Sequence, residues 1–367
     1  MTKAAYVMIG GFLGAGKTTA ILRLAEYLKE RDRSVGLITN DQSFGLVDTA
    51  MLSSHAFPTE EITGGCFCCR FNSLVEACEH LSAETRPNVF IAEPVGSCTD
   101  LKAAVSYPLR RIYGDNFRVA PLSVMVDPVR ALRVLGIEPG KAFSSRVLYV
   151  YEKQLEEAEI IVINKADLLP PERLEKLQQG LRRSFPQAEQ FVVSAREGDG
   201  LEKWFEHILT VDLGFAPAPE VDYELYAQGE ALLGWLNATL RVDAAAPFDG
   251  NALLQDLAAR IHRGLGEIEI AHLKMTLLPD EEMGDIGVLN LVRNDGAPEL
   301  SHRLQAPLPS GELIINLRAE GDPEILRSIA LTACRECADA HGVEGTVVHA
   351  ESFRPAKPEP THRMAPA

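Results

Sequence analysis

Several things are scarce in this 367-residue chain, and each scarcity excludes something. No apolar run approaches the ~20 residues that cross a bilayer, so no transmembrane helix is expected. The first apolar stretch, Ala4–Ile9, is too short for a signal peptide and runs straight into glycines. It reads as a first β-strand, and a cytoplasmic protein is expected. Positive charge is in short supply: 36 Lys and Arg stand against 52 Asp and Glu, a net charge of −16. That balance repels phosphate backbones and anionic headgroups, so neither nucleic acid nor membrane is an expected partner. The seven cysteines are an odd number and do not form a disulfide framework. There is no internal repeat and no low-complexity block.

What is present is ordinary globular composition, 46% hydrophobic and 24% charged, at a length that favours two domains. Over the first two-thirds, short buried-strand runs (Ala5–Ile9, Val35–Thr39, Val89–Ala92, Leu122–Val126, Ile160–Ile163, Phe191–Val193) alternate with helical patterns such as Thr18–Glu30 and Pro171–Arg183. That alternation predicts an α/β fold with a mainly parallel sheet, covering residues 1–213. Residues 214–222, rich in proline and alanine, read as a linker. A smaller α+β domain with ferredoxin-like elements is expected over 223–353. Its strands are read at Gly234–Val242, Glu269–Leu278, Gly287–Val292, Glu312–Leu317 and Thr346–Glu351. Its helices are read at Asn251–Arg263 and Pro323–His341. The proline-rich tail 354–367 is expected to be disordered.

Gly11–Thr18 fits the pattern G-x-x-x-x-G-K-[ST], with a strand before it and a helix after it. Its glycines let the backbone curl so that the amides of Gly14, Ala15, Gly16, Lys17, Thr18 and Thr19 surround phosphate oxygens. The positive end of the following helix adds to that field. Lys17 is expected to reach the β and γ phosphates, and the Thr18 hydroxyl to ligate Mg²⁺. After the strand Ile160–Ile163 comes Asn164-Lys165-Ala166-Asp167. The Asp167 carboxylate can accept two hydrogen bonds from guanine. Adenine lacks that donor pair, so GTP is the expected nucleotide. The Lys165 stem can stack on the base, and Ser194-Ala195-Arg196 is a further base contact. Glu93, at the end of the strand Val89–Ala92, is placed to hold the Mg²⁺ water shell or orient the attacking water. Gly96 would offer an amide to the γ-phosphate. Asp41 is the second acidic candidate, and Asp127 reads as either structural or functional. No residue declares itself the catalytic base, and no arginine finger is evident. Hydrolysis by the chain alone is therefore expected to be slow.

Gly64-Gly65-Cys66-Phe67-Cys68-Cys69 is the most unusual segment. Thiolates are soft ligands suited to Zn²⁺, Cu(I) and, with less preference, Co²⁺ or Ni²⁺. C-x-C-C on a turning backbone can present two or three sulfurs to one ion, leaving a position for Asp41, Glu61, His55 or water. An open site of that kind suits metal transfer. Cys98 either joins this site or packs, and Cys78 reads as core. Cys334 and Cys337 share a helical face with Leu326 and Ala330 and read as core rather than as a metal or redox pair.

Together these motifs resemble the CobW-like family of metal-handling P-loop GTPases. Gly10–Thr19 matches that family's opening loop almost letter for letter, Glu61–Cys69 resembles its E-L-x-N-G-C-x-C-C segment, and Asn164–Asp167 matches N-K-x-D. The likeness covers about residues 4–210 and extends more loosely beyond them. It implies a GTPase, of the GTP phosphohydrolase type, that delivers or inserts a metal such as zinc or cobalt into a client metalloprotein or a cobalamin-related pathway. The alternative within the family is a GTP-dependent remodelling factor for a cobalamin or metal enzyme that transfers no metal itself. An ATP-using kinase conflicts with Asn164–Asp167. This chain departs from the family at the first switch, where Asn40-Asp41-Gln42-Ser43-Phe44-Gly45 replaces N-E-F-G-E, and after Gly96, where it reads Ser97-Cys98-Thr99-Asp100. The nine scattered histidines form no tract, which speaks against a metal-storing member.

Overall fold

The computed structural model describes residues 3–40, 57–211, 217–280 and 285–364. Asp41 and His55, both candidates above, lie outside the described residues. The chain forms two compact units. The first holds the described residues up to Gly229 together with Lys357–Met364, and the second those from Glu230 to Ala356.

The first unit is built on eight strands: β1 (Ala4–Gly11), β2 (Val35–Asn40), β3 (Thr59–Ile62), β4 (Val89–Glu93), β5 (Phe117–Val119), β6 (Ser123–Val126), β7 (Ile160–Ile163) and β8 (Glu189–Val192). Their order is β3-β2-β4-β1-β6-β7-β8, with β5 alongside the first residues of β1. Every pairing is parallel. The sequence explains this arrangement. Runs such as Ile160–Ile163 are buried on both faces, as a sheet covered by helices on each side requires. The helix Lys17–Lys29 turns Ile21, Leu24, Ala25 and Leu28 inward, a helical stripe packed on that sheet. Strand order reverses on either side of β1, and ligands of such sheets sit at the carboxyl ends of the strands there.

The second unit is an antiparallel sheet of β9 (Leu233–Phe248), β10 (Glu269–Pro279), β11 (Gly287–Leu291), β12 (Glu299–His302), β13 (Leu308–Glu320) and β14 (Glu344–Phe353). Helices Gly250–Leu265 and Pro323–His341 cross over it. The order is β12-β11-β10-β13-β9-β14. With β11 and β12 set aside, the βαββαβ succession and the order β14-β9-β13-β10 are the ferredoxin-like arrangement. Asp249 and Asp322 cap the two helices, accepting from Ala252 N at 3.0 Å and from Glu324 N at 2.9 Å. Cys334 and Cys337 lie in the core with Leu326 and Ala330.

Two readings need correction. The tail does not trail away: Lys357–Met364 lies on the first unit, with Thr361 N donating to Cys68 O at 2.8 Å and Met364 N to Ala103 O at 2.9 Å. Its prolines resemble those of a disordered segment, but the Thr361 and Met364 amides are satisfied by distant carbonyls and the Glu359 amide by Cys69 Sγ. The C-terminal unit also does not begin at residue 223. A helix, Tyr223–Leu232, carries the chain across the boundary, and its first turn belongs to the first unit. There Tyr226 Oη accepts from Thr99 N at 3.1 Å, and the Tyr223 hydroxyl donates to Asp100 Oδ2 at 2.5 Å.

Candidate nucleotide and metal site

The glycine loop at the end of β1 has the curl that phosphate binding needs. Gly14 and Gly16 take φ of 78° and 92°, in the left-handed region. A Cβ on Gly16 would come within 2.4 Å of Asn164 Nδ2, so no other residue fits there. Lys17 and Thr18 open the following helix and are both buried. The Thr18 hydroxyl donates to Glu93 Oε1 at 3.1 Å, and Lys17 Nζ is 3.9 Å from the same oxygen. The end of β4 therefore faces the loop. Two hard oxygens stand side by side there, a donor set suited to Mg²⁺.

The motif after β7 is tied into the same loop. Asn164 Nδ2 donates to Ala15 O at 2.8 Å, while its Oδ1 accepts from Ala195 N at 2.9 Å. One side chain thus joins the glycine loop to the loop after β8. Lys165, held at φ 55°, donates to Gly14 O at 2.7 Å and pairs with Asp127 Oδ2 at 2.9 Å. Asp127 is also the N-cap of the helix Pro128–Val134, accepting from Arg130 N at 3.0 Å. It is therefore a structural brace. Arg130 Nη1 in turn donates to Leu13 O at 2.7 Å, a contact the sequence did not disclose. Asp167 is exposed on a short 3₁₀ turn, its carboxylate open to a ligand. Ser194 is buried in the loop after β8 and accepts from Glu197 N through its hydroxyl at 3.2 Å.

The cysteine segment lies beyond β3. Asn40, the last residue of β2, donates through Nδ2 to Ile62 O at 3.0 Å and Gly65 O at 2.7 Å, pinning the entry to the loop. Gly64 takes φ 75°, which lets the chain turn there. Cys69 N and Arg70 N both donate to Cys66 O, at 3.0 and 2.9 Å, so the sulfurs gather on the turn that opens the helix Phe71–Glu84. The Sγ separations are 2.8 Å for Cys66–Cys68, 3.3 Å for Cys66–Cys69 and 3.7 Å for Cys68–Cys69. Hydrogen bonds from Cys68, and then from Cys69 and Cys98, hold the Cys66 thiol well below its usual range. Cys68 is pushed up by its bond to Cys66, and Cys69 up to about 11 by the same cause. The three sulfurs stand close enough on one turn to share a single soft cation, whose binding would displace the thiol protons. Glu61, on β3, is not among the side chains that bring ligand atoms within 4.8 Å of one another at this turn.

Residues from far along the chain complete this surface. Glu359 N donates to Cys69 Sγ at 3.2 Å and Thr361 Oγ1 to Cys69 O at 3.0 Å. His362 packs edge-on against Phe71, with ring centroids 5.0 Å apart. Arg363 Nε donates to the buried Asp100 at 2.8 Å. Nothing in the local sequence of the tail signals these contacts. Among the described residues, one other group gathers metal-ligating atoms within 4.8 Å: Asp256, Cys337 and His341. There Arg260 Nε already pairs with Asp256 Oδ2 at 3.0 Å and supplies the positive charge. Burial pushes the Cys337 thiol up to about 12.

The chain is 28% identical over 173 residues to the zinc chaperone YeiR of Escherichia coli K12, covering 47% of this chain and 49% of that protein. It is 33% identical over 184 residues to the zinc chaperone CobW of a Sinorhizobium species, covering 44% of this chain and 51% of that one. The matched region thus spans about half the length of these curated relatives. Among solved structures, the hydrogenase maturation factor HypB of Archaeoglobus fulgidus aligns with a TM-score of 0.40 at 19% identity, over 55% of this chain and 87% of that one. The zinc-bound YjiA GTPase of E. coli aligns with a TM-score of 0.39 at 16% identity, over 91% and 99%. The family model for the CobW/HypB/UreG nucleotide-binding domain matches residues 5–192, more than half of the chain, and the protein belongs to that CobW-like family of P-loop GTPases.

Proposed function

We propose that this protein is a GTP-hydrolysing metallochaperone of the cytoplasm that binds a soft divalent ion, zinc first and cobalt or nickel after it, and passes it to a client metalloprotein. The observation that carries this reading is the cluster of Cys66, Cys68 and Cys69, with its sulfurs 2.8 to 3.7 Å apart on a turn pinned through Asn40 to the nucleotide-binding sheet. The names of the two curated relatives, both zinc chaperones, support it.

In this reading Lys17 and the amides of Gly14 to Thr19 hold the phosphates. Asp167 reads guanine, with Asn164 and Ala195 keeping the loops in register. Thr18 and Glu93 would hold Mg²⁺, which neutralises phosphate charge when bound. Glu93 Oε1 lies 3.1 Å from the Thr18 hydroxyl and 3.9 Å from Lys17 Nζ. Asp41 and Glu61 remain candidate ligands or acids on the first-switch side. The transferred ion is cargo, held by Cys66, Cys68 and Cys69.

The test is a titration of the reduced, metal-free protein with Zn²⁺ and Co²⁺, with and without GTP and Mg²⁺, beside a Cys66/Cys68/Cys69→Ala variant. Stoichiometric binding that needs the cysteines and shifts with nucleotide is expected. GTP turnover without any cysteine-dependent binding would replace this reading with a remodelling GTPase that transfers no metal.

A further inference from the structure

One thiol beside the cluster does not belong to the cysteine turn. Cys98 is 1% exposed, on the segment that leaves the nucleotide site. Its backbone is fixed on both sides. Its N–H donates to Val95 O at 2.9 Å, and Gln154 Nε2 donates to Gly96 O at 2.9 Å and to Cys98 O at 2.8 Å. The Cys98 sulfur is in hydrogen-bonding contact with the sulfurs of Cys66 and Cys68. Three thiols on the turn after β3 lie within 4.8 Å of one another, and Cys98, on the loop after β4, neighbours two of them, Cys66 and Cys68, from outside that group.

We infer that Cys98 is a fourth, nucleotide-responsive ligand that closes the metal site into a four-sulfur set. Four thiolates are the tetrahedral set of a closed zinc site, which holds its ion tightly, whereas a three-ligand site stays open to exchange. What makes closure reversible here is the position of Cys98. Glu93 and Cys98 sit on one short segment, which the turn at Val95 and the two bonds from Gln154 hold taut. Glu93 contacts Thr18 and lies near Lys17, and a Cβ on Gly96 would meet Leu13 N at 3.1 Å. The loop that carries the fourth sulfur thus lies directly against the phosphate-binding loop. A shift of that loop when phosphates enter or leave withdraws or restores one ligand and switches the ion between closed and open coordination. The protons displaced by the ion go to solvent.

This inference rests on the metal-binding reading above and is separable from it. The experiment is zinc X-ray absorption on the reduced full-length protein loaded with one equivalent of Zn²⁺, nucleotide-free and with a non-hydrolysable GTP analogue. Zinc titrations of the wild type and of Cys98→Ser accompany it. Four sulfur ligands are expected in one nucleotide state of the wild type and three plus an oxygen or nitrogen in the other. Cys98→Ser should show three in both and bind zinc at least about tenfold more weakly in the closed state. Three sulfurs in both states of the wild type would overturn the role of Cys98 while leaving the chaperone reading intact, and that result does not depend on the variant folding. Absence of cysteine-dependent zinc binding would overturn the chaperone reading itself, and this inference with it.

Discussion

Gly16 and Asp167 show how single residues set nucleotide binding. Any side chain at Gly16 meets the Asn164 amide and must adopt φ near 92°. Gly16→Ala should cost about 1–3 kcal/mol from strain alone and abolish nucleotide binding, read by calorimetric titration with GTP. Asp167→Ala removes the carboxylate that would accept from guanine. GTP affinity should fall about 10- to 150-fold while ATP affinity stays level, and parallel GTP and ATP titrations check this. Glu157 makes a different kind of prediction. Burial pushes its carboxyl up to about 8 from 4.5, although it accepts from Lys102 N at 2.9 Å and Thr99 Oγ1 at 3.1 Å. A carboxyl whose folded value is raised binds its proton more tightly in the folded state. Its contribution is fully present below about pH 4.5 and is lost as pH rises to about 8. Glu157→Gln should flatten the decline in stability across that window, measured by denaturant unfolding at about pH 5, 7 and 8.5.

At the scale of elements, the tail segment Lys357–Met364 acts as a strap on the cysteine turn. Thr361 alone contributes two hydrogen bonds to it, to Cys68 O and Cys69 O. Thr361→Val removes the hydroxyl's bond, worth about 1 kcal/mol, and amide exchange over Cys66–Arg70 should quicken about fivefold. Unchanged exchange would mean that the strap does not hold the turn. This strap also marks the limit of what the sequence discloses. The strands and helices were legible because their apolar residues repeat at the periods of a buried strand or a one-sided helix. The glycine loop, Asn164–Asp167 and the cysteine triplet were legible because each keeps its chemistry in a few adjacent letters. Asn40 as the pin of the cysteine turn and Arg130 behind the glycine loop were not, because their meaning lies in partners 22 to 117 residues away. The strap leaves no trace in the sequence for the same reason: backbone amides have no signature in side-chain composition.

At the scale of the whole molecule, GTP is held by residues of the first unit alone in the proposed reading. Ligand at 100 times its dissociation constant stabilises the state that binds it by about 2.7 kcal/mol, which for a unit of this size is about 5–10 °C. Scanning calorimetry with GTP and Mg²⁺ should therefore raise one transition by that amount and leave the transition of the ferredoxin-like unit in place. The first unit is also discontinuous, since it is finished by residues that follow the second. Cys69 and Glu359 are 290 residues apart in the chain. At synthesis rates of about 5–20 residues per second, the cysteine turn leaves the ribosome roughly 15 to 60 s before its strap exists. For that interval the nascent protein presents its thiols uncovered, so the moment at which it first meets metal or oxidant is set by translation as much as by affinity.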